Sequence, residues 1–591
     1  MKKIKELLDD NFQGVLLTVG IAMANLVFFQ QESWKMDPVK IALLSLGFFF
    51  LLRIFTGQMR NIRDIREKTG IILLGLLFGL MIVVGQKIQV GTRIFQSFSL
   101  SDLIWILFYT WTGILLFTGL NWLCSKRKIA GWLVVSENIK RNFKRKRWLL
   151  YAGILAVCWI PIWIVYFPGI VPDDATISIA MVLGDMPWDN HFPVFYSLIV
   201  GLCLKIGNLF LDYNAGIALY SFLQLGSMAL ILGRMLEWMR SKGVHKILVY
   251  FGLAFFGAAP FFGNYAIVMW KDPWFCGVML LLGMFLYDHV VEDRNSFLQK
   301  KNLGIYRGMS ILMSLLRNNG VYIVILTSLC LVAIYRKEIK KIAAVSVCTV
   351  ALIYFVTGPV YMAVFSAENL FVESVGIPLQ QMARVVEENG KIGEEEEEFL
   401  DNLMPMEKYL EYYNPYLVDP IKWAPEFNTD YLNTHKGEFF KTWFSLLKSN
   451  FGIYVEQYLM GTYGFWHIGG DQPYEFVKTE IVGNDWGIYQ NQFFENHLGY
   501  FIQEELGNKY DFLPSGLFVW LLLYDIVLCW MKRRSIYILP LTGMIGNWLT
   551  LMIATPTAFG IRYIYILVIA FPLLLVYPRI ALKQQEKERN T

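Results

Sequence analysis

Long uncharged apolar segments alternate with short polar segments along most of the 591-residue chain. Residues 70–85 and 342–365 contain no charged side chain, and about 20 such residues suffice to cross the apolar core of a bilayer. Windows of about 19 residues predict roughly fourteen spans. The predicted spans are 14–30, 39–55, 70–86, 102–123, 148–167, 215–237, 246–269, 273–290, 303–317, 319–335, 341–365, 514–531, 536–552 and 561–577.

The composition supports this interpretation. Hydrophobic residues make up 55% of the chain and charged residues 17%, whereas soluble domains carry about 25% charged residues. The seven cysteines lie in or beside apolar segments and form no CxxC pair, so no disulfide framework is indicated. These features exclude a soluble enzyme, a disordered chain and a secreted disulfide scaffold. We therefore predict an all-α polytopic membrane protein.

Basic loops predict its orientation, because cytoplasmic loops collect Lys and Arg. Residues 124–147 carry nine basic side chains and one acidic side chain, and residues 532–534 are all basic. With these loops inside, both termini are cytoplasmic and the 168–214 loop lies outside. A full crossing by 193–207 would place the basic cluster at 240–246 outside. We therefore expect 193–207 to lie in the outer interface or to re-enter from it.

One long polar region, 366–511, has the opposite charge. It contains 25 acidic and 9 basic residues, a formal charge of −16, and many aromatic residues. It is too aromatic for a disordered linker, so we predict a small, mostly helical extracytoplasmic domain. The predicted organisation is a four-span block at 1–123, a basic cytoplasmic loop at 124–147, a membrane core at 148–365, the acidic domain at 366–511, C-terminal spans at 512–577 and a cytoplasmic tail at 578–591.

Ionisable residues from five distant segments are expected at the outer membrane boundary. Singly, each has an ordinary explanation: Lys and Arg extend to lipid headgroups, an Asp caps a helix, and a His bonds within its loop. Their shared depth, on the side where cations are scarce, favours a common site. The residues are Asp173, Asp174, His191, Lys271, Asp272, Arg317 and Arg562.

These side chains limit the chemistry that such a site can perform. A carboxylate serves as general base toward a hydroxyl, and paired carboxylates also hold divalent cations. Lys and Arg bind phosphate, Arg through two parallel hydrogen bonds. An apolar substrate with a phosphate at the membrane boundary is a lipid-linked sugar. The chain shows no nucleic-acid module, Gly-rich phosphate loop, HExxH or GxSxG motif.

The arrangement of these motifs resembles the GT-C superfamily of integral-membrane glycosyltransferases, which includes protein O-mannosyltransferases and lipid A aminoarabinose transferases. The acidic motif Pro172–Asp173–Asp174 lies in the first large outer loop, His191 and Pro193 precede an interfacial helix, and Asp272 lies at a later outer boundary. A large outer domain precedes the last spans. The sequences YFPG (166–169), WKD (270–272), RNNG (317–320) and IPLQQ (377–381) also resemble an uncharacterised family of bacterial multispanning proteins grouped with GT-C enzymes.

The resemblance covers roughly 148–577 and implies a GT-C-like core at 148–365, with 1–123 as an added block. It implies a bacterial plasma-membrane enzyme that transfers a sugar, with inversion, from a polyprenyl-phosphate donor to an extracytoplasmic glycan, lipid or protein acceptor; membrane lipids are its other partners and nucleic acid is not. The implied roles are: Asp174 as base with Asp173 as companion; Lys271, Arg317 and Arg562 on the donor phosphate; Asp272 orienting Lys271 or sharing a cation; His191 and Tyr563 in support. No cofactor is required by these roles, and Asp173, Asp174 and Asp272 are the expected ligands if a divalent cation is used.

Three other functions fit parts of the sequence. A transporter or flippase of a lipid-linked or anionic substrate would show ionisable groups near the membrane midplane, broken helices and inverted repeats. A surface-polysaccharide polymerase or ligase would not need the Asp173–Asp174 pair. A sensor or scaffold would use 366–511 as its binding module.

Overall fold

The computed structural model describes residues 62–91, 93–125, 143–367, 370–468, 478–490, 515–555 and 557–590. The predicted spans at 14–30 and 39–55, most of the 124–147 loop and residues 491–511 lie outside them. The described part is helical, and its β-structure is limited to isolated bridges. An all-α protein with several apolar helices is therefore confirmed for the described residues.

Apolar helices form most of the structure on either side of a polar helical unit. The helices that precede the unit are α1 (Ile65–Val90), α2 (Leu100–Ser125), α3 (Arg145–Val165), α4 (Asp173–Leu183), α5 (Val194–Phe210), α6 (Tyr213–Ser241), α7 (Lys246–Ala258), α8 (Pro260–Ile267), α9 (Asp272–Leu286), α10 (Arg294–Phe297), α11 (Lys300–Leu316), α12 (Gly320–Ile334), α13 (Ile339–Phe355) and α14 (Tyr361–Phe365).

The remaining helices belong to the polar unit and the C-terminal apolar region. The polar unit contains α15 (Gly376–Glu387), α16 (Glu394–Leu403), α17 (Met406–Tyr412), α18 (Asp419–Lys422), α19 (Thr429–Thr434), α20 (Lys436–Ser449) and α21 (Phe451–Thr462). After it come α22 (Ser515–Met531), α23 (Thr542–Ala554), α24 (Tyr565–Ile569) and α25 (Phe571–Asn590).

Seven helices in the described residues are long and apolar enough to cross a membrane. They are α1, α2, α3, α6, the α9 helix continued to Glu292, the run Arg336–Phe365 and the run Ser535–Ala554. The predicted span at 246–269 is bent by 63° between α7 and α8. Shorter apolar helices occupy 194–210, 320–334, 515–531 and 571–582. The segment predicted to be interfacial or re-entrant, 193–207, lies in the short helix α5.

Helix α6 is central to the membrane part. A Cβ atom on Gly233 would come within 2.7 Å of the backbone nitrogen of Ala152 in α3. A Cβ atom on Gly216 would likewise come within 2.6 Å of the Cα of Leu204 in α5. Small residues permit such close approach, and in lipid this packing is a main source of helix association. α6 therefore holds α3 and α5 on its surface.

The polar unit has a hydrophobic core of its own, formed by side chains such as Leu379, Leu400 and Tyr409, which are fully buried. Within it, the buried Arg384 lies 2.9 Å from Glu456 and 3.2 Å from Glu388. A buried charge needs partners of this kind. The described part of the predicted acidic domain is thus a packed helical unit.

Candidate functional site

Backbone pairing brings two distant segments of the candidate site together. Ile170 forms a parallel bridge with Val268, and the Met269 N–H donates to the Ile170 carbonyl at 2.9 Å. The motif that leads into Asp173 therefore lies beside the one that leads into Asp272. On its other side, Val171 pairs with Ile481 from the region after the polar unit.

A buried glutamine holds the end of α8 in place. Gln224, on α6, is fully buried. Its amide donates to the carbonyls of Val268 at 2.6 Å and Tyr265 at 3.2 Å, and its oxygen accepts from the Tyr220 hydroxyl at 2.8 Å. Carbonyls at a helix end lack intrahelical partners and must be satisfied otherwise. Gln224 thus stabilises the backbone that precedes Lys271.

Asp174 faces the site and Asp173 does not. Both lie in the first turn of α4, where the helix dipole favours carboxylates. The Oδ2 atom of Asp174 accepts a hydrogen bond from Arg562 Nη2 at 2.6 Å. The side chain of Asp173 is 73% exposed, and its nearest ion-pair partner is Lys478 at 3.9 Å. The structure therefore gives Asp173 no contact that supports its predicted role as companion to the base.

Asp272 joins two arginines. It is fully buried at the start of α9, where its Oδ1 accepts from Arg317 Nη1 at 2.5 Å and its Oδ2 from Arg562 Nε at 2.7 Å. The family resemblance implies that Asp272 orients Lys271 or shares a cation. Both carboxylate oxygens instead face guanidinium groups, because α11 and the turn before α24 bring Arg317 and Arg562 onto either side of it.

Arg562 lies in a turn rather than in a span. The turn begins at Gly560, whose φ of +156° is rarely adopted by residues with side chains. A Cβ atom there would come within 2.6 Å of the Tyr563 ring. The Arg562 guanidinium is 4.4 Å from the Trp270 ring centroid, and Tyr563 lies 5.2 Å from Arg317. Cation–π contacts with these rings reinforce the ion pairs.

Lys271 differs from both arginines. Among the described residues its ammonium group makes no hydrogen bond or ion pair; it lies 5.1 Å from the ring centroid of Phe192. Burial lowers the pKa of Lys271 to about 8, with Arg562 adding to the effect and Asp174 opposing it. Within the described part of the chain, Lys271 is therefore the cation of this cluster that has no carboxylate partner to release before it binds an anion.

Asp174 is ionised at neutral pH. Burial acts to raise its pKa, but attraction to Arg562 and Lys271 outweighs burial and holds the pKa well below its usual range. Two carboxylates and three cations give the cluster a net charge of +1. The group of residues thus combines an ionised carboxylate with a surplus of positive charge.

His191 connects the cluster to the polar helical unit. Its Nδ1 lies 3.6 Å from an oxygen of Glu373, and Glu373 accepts from Lys422 Nζ at 2.9 Å through both oxygens. Burial, together with the ammonium groups of Lys271 and Lys422, lowers the pKa of His191 to about 3. The imidazole is therefore neutral at physiological pH and its contact with Glu373 is not an ion pair.

Sequence reasoning missed Glu373, Lys422 and Lys478. The available signal was the scarcity of basic residues: Lys422 and Lys478 are among only nine basic residues in the 366–511 region, which has 25 acidic ones. That signal identifies isolated cations but does not tell which ones approach the membrane boundary. Contact with His191 and Asp173 arises from the tertiary fold.

The carboxylates do not fit a divalent cation site. The described residues contain no group of three His, Cys, Asp or Glu side chains placed to hold a metal ion. Both oxygens of Asp272 accept from arginines, and the Asp173 side chain is 73% exposed with Lys478 as its ion-pair partner. The expected ligand set of Asp173, Asp174 and Asp272 therefore does not form a shared cation site.

Comparison with known proteins gives a family and no function. No curated protein and no solved structure matches the chain. A family profile matches residues 183–590, which include His191, Lys271, Asp272, Arg317 and Arg562, while Asp173 and Asp174 precede the match. Because the match covers more than half of the chain, the protein belongs to the family described as "Family of unknown function (DUF6020)".

Proposed function

We propose that this protein is a membrane glycosyltransferase of the GT-C type that moves a sugar from a polyprenyl-phosphate donor to an extracytoplasmic glycan, lipid or protein. One observation carries the proposal. Four residues from distant segments, Asp174, Asp272, Arg317 and Arg562, form one chain of ion pairs at the ends of apolar helices. Lys271 lies beside it and forms no ion pair with any residue that the structure describes. This gives one carboxylate and one available cation in a common position.

The donor phosphate binds first to Lys271 in this proposal. A phosphodiester carries one negative charge, which matches the net charge of +1 in the cluster. Arg562 then shares the phosphate, because its contact with the half-exposed Asp174 is easier to exchange than its contact with the buried Asp272. Arg317 remains on Asp272 and supports Arg562 from the other side.

Asp174 acts as base once Arg562 turns toward the phosphate. Its carboxylate accepts the proton of the acceptor hydroxyl while the hydroxyl oxygen forms a bond to the anomeric carbon. The bond between that carbon and the phosphate oxygen breaks, and the phosphate leaves as an anion stabilised by Lys271 and Arg562. Attack opposite the leaving phosphate inverts the anomeric centre.

The architecture that we propose for this enzyme has about fourteen spans and a GT-C-like core. Both termini lie in the cytoplasm of a bacterial cell. The polar helical unit lies outside the plasma membrane. The contact of its Glu373 with His191 supports a role for this unit at the acceptor side of the site.

A transporter or flippase is the second candidate, favoured by one observation. The α7–α8 pair is bent by 63°, and α8 ends four residues before Lys271. Broken helices next to charged groups are typical of transporters. In this alternative the cluster would bind the phosphate of a lipid-linked substrate during translocation, without transfer of the sugar.

Reconstituted vesicles distinguish the two candidates. We would supply polyprenyl-phosphate sugar from the host membrane with a glycan acceptor, and measure both sugar transfer and movement of the lipid-linked sugar across the bilayer. We expect transfer by the wild type and by Asp173→Asn, and at least about a hundredfold less transfer by Asp174→Asn, since general-base catalysis contributes that much or more. Translocation without transfer would favour the flippase, and unimpaired transfer by Asp174→Asn would reject the proposed base.

A further inference from the structure

Two buried glutamines of the IPLQQ sequence (377–381) hold backbone segments of the polar helical unit. Gln380 and Gln381 lie in α15 and are 2% and 7% exposed. The Gln380 amide donates to the Asn414 carbonyl at 3.0 Å, whereas the Gln381 amide donates to the Tyr454 carbonyl at 3.1 Å. Adjacent positions on an α-helix are rotated by about 100°, so the two glutamines hold different segments.

The segment 414–417, which Gln380 contacts, pairs with the turn that carries Arg562. The Tyr416 carbonyl accepts from the Ala558 N–H at 2.7 Å. An antiparallel bridge between the adjacent residues of the two segments extends this pairing. Ala558 is fully buried and precedes Arg562 by four residues. Backbone hydrogen bonds therefore join the polar helical unit to the turn.

The start of this turn is also held from its other side. The Ala558 carbonyl accepts from the Gly464 N–H at 2.9 Å, and a Cβ atom on Gly464 would lie 2.5 Å from that carbonyl oxygen. Phe559 is 2% exposed, and its ring centroid is 5.5 Å from that of Tyr416 and 5.1 Å from that of Tyr463. Buried backbone groups need such hydrogen-bond partners. The polar helical unit and the segment after α21 thus fix where the turn begins.

We propose that Gln380 is a positioning residue for Arg562. It holds the segment 414–417 where the Tyr416 carbonyl can accept from Ala558, and this hydrogen bond fixes the backbone that leads to the guanidinium. A displacement of about 1 Å in a binding group is enough to reduce a reaction rate strongly. The inference rests on the proposed function in one respect, which is that Arg562 binds the donor phosphate.

Hydrogen exchange tests the positioning without any reaction. The full-length protein in detergent would be compared with Gln380→Ala and with the matched control Gln381→Ala, which loses a buried glutamine hydrogen bond to a different backbone carbonyl. Peptides that cover 555–563 report on the Ala558 amide. We expect about tenfold faster exchange in these peptides for Gln380→Ala, the effect of losing one buried hydrogen bond, and wild-type exchange for Gln381→Ala. Equal exchange in wild type and Gln380→Ala would overturn the proposal.

Transfer kinetics test the connection to the phosphate site. Gln380→Ala should raise the donor KM about tenfold, whereas Gln381→Ala should leave it unchanged. A purely structural role would lower the Tm of both variants and leave the donor KM of both at the wild-type value, which would overturn the proposal. If Gln380→Ala does not fold, Asn414→Ala replaces it with the same expectations, because it removes only the side chain that accepts from the Tyr416 N–H at 2.9 Å.

The two measurements separate this inference from the proposed function. Faster exchange in Gln380→Ala, together with no sugar transfer by the wild type, would reject the glycosyltransferase and support the positioning of Arg562. Sugar transfer by the wild type, with exchange and donor KM unchanged in Gln380→Ala, would reject the positioning role and support the glycosyltransferase.

Discussion

The three cations around Asp174 differ in how firmly other protein groups hold them. Arg317 forms an ion pair with the buried Asp272, and Arg562 forms ion pairs with both Asp272 and Asp174. Lys271 forms no ion pair among the described residues. A ligand phosphate that replaces an existing ion pair gains little net free energy, because it must compensate the contact that it breaks. Donor binding should therefore depend most strongly on Lys271.

The pKa of Lys271 predicts a pH dependence of donor binding. At about 8 it lies below the ordinary value of a lysine, so the ammonium form is complete well below pH 8 and is lost as the pH rises through it. Each further pH unit leaves about tenfold less charged amine. We expect the donor KM to rise above pH 8 in the wild type and to stay nearly constant in Lys271→Arg, because arginine remains charged.

The measurement is the KM for the donor from pH 6 to 9.5. His191, with a pKa of about 3, should not contribute a transition in this range. A wild-type KM that is independent of pH, or the same rise in Lys271→Arg, would remove Lys271 from the phosphate site.

Replacing Asp272 should destabilise the protein. Asp272→Asn leaves Arg317 and Arg562 without their buried carboxylate, and losing one partner of a buried pair costs about 3–5 kcal/mol. Asp173→Asn is the control, since that side chain is 73% exposed and its ion pair with Lys478 is long, at 3.9 Å. We expect a clearly lower Tm in detergent for Asp272→Asn and an unchanged Tm for Asp173→Asn. Equal Tm values would show that Asp272 does not stabilise the cluster.

At the residue level, the sequence indicated which segments meet but not which side chains point inward. Adjacent residues on an α-helix are rotated by about 100°, and in this helix Asp174 contacts Arg562 whereas the Asp173 side chain is 73% exposed. The family resemblance implies Asp174 as the base, and in the structure Asp174 accepts a hydrogen bond from Arg562. The contact between Asp272 and the two arginines depends on tertiary packing that no local pattern encodes.

At the level of elements, the apolar runs predicted where helices lie more accurately than they predicted where helices are interrupted. The run 561–577 reads as one span because its hydropathy is continuous. The structure divides it into a turn that contains Arg562, the short helix α24 and the start of α25. The signal for this break is local: Gly560 adopts a φ of +156° and packs against Tyr563. A hydropathy window averages over such a residue.

Gly560 should be required for the position of Arg562. In Gly560→Ala the new Cβ would lie 2.6 Å from the Tyr563 ring, and alanine rarely adopts the backbone conformation. The matched control is Gly226→Ala in the middle of α6, where nothing lies within 4 Å of the added atom. We expect a higher donor KM and a lower Tm for Gly560→Ala, whereas Gly226→Ala should leave both unchanged or raise the Tm. An unaffected Gly560→Ala would mean that the turn adjusts without moving Arg562.

At the level of the whole molecule, the sequence predicted a charge asymmetry whose physical basis is insertion of the chain into the membrane. Basic loops remain in the cytoplasm, and the 366–511 region carries −16. This asymmetry gives the side of each loop but not the internal fold of the acidic region. The packing of its helices around Leu379, Leu400 and Tyr409 depends on contacts between distant positions.

The orientation can be tested with two engineered cysteines. Glu397 is exposed on α16 of the polar helical unit, and Lys337 is exposed between α12 and α13. Cys158 and Cys348, which are exposed, would first be changed to Ser. A membrane-impermeant maleimide added to intact cells should label Glu397→Cys, and it should label Lys337→Cys only after permeabilisation.

The result bears on the function because Asp174 and the polar helical unit must lie on the same side for an extracytoplasmic acceptor to reach the base. The His191–Glu373 contact joins the two in the structure, so labelling of Glu397→Cys in intact cells places the whole site outside. Labelling of Lys337→Cys in intact cells, with protection of Glu397→Cys, would put the site in the cytoplasm. An extracytoplasmic acceptor would then be excluded, and a cytoplasmic sugar or phosphate substrate would have to replace it.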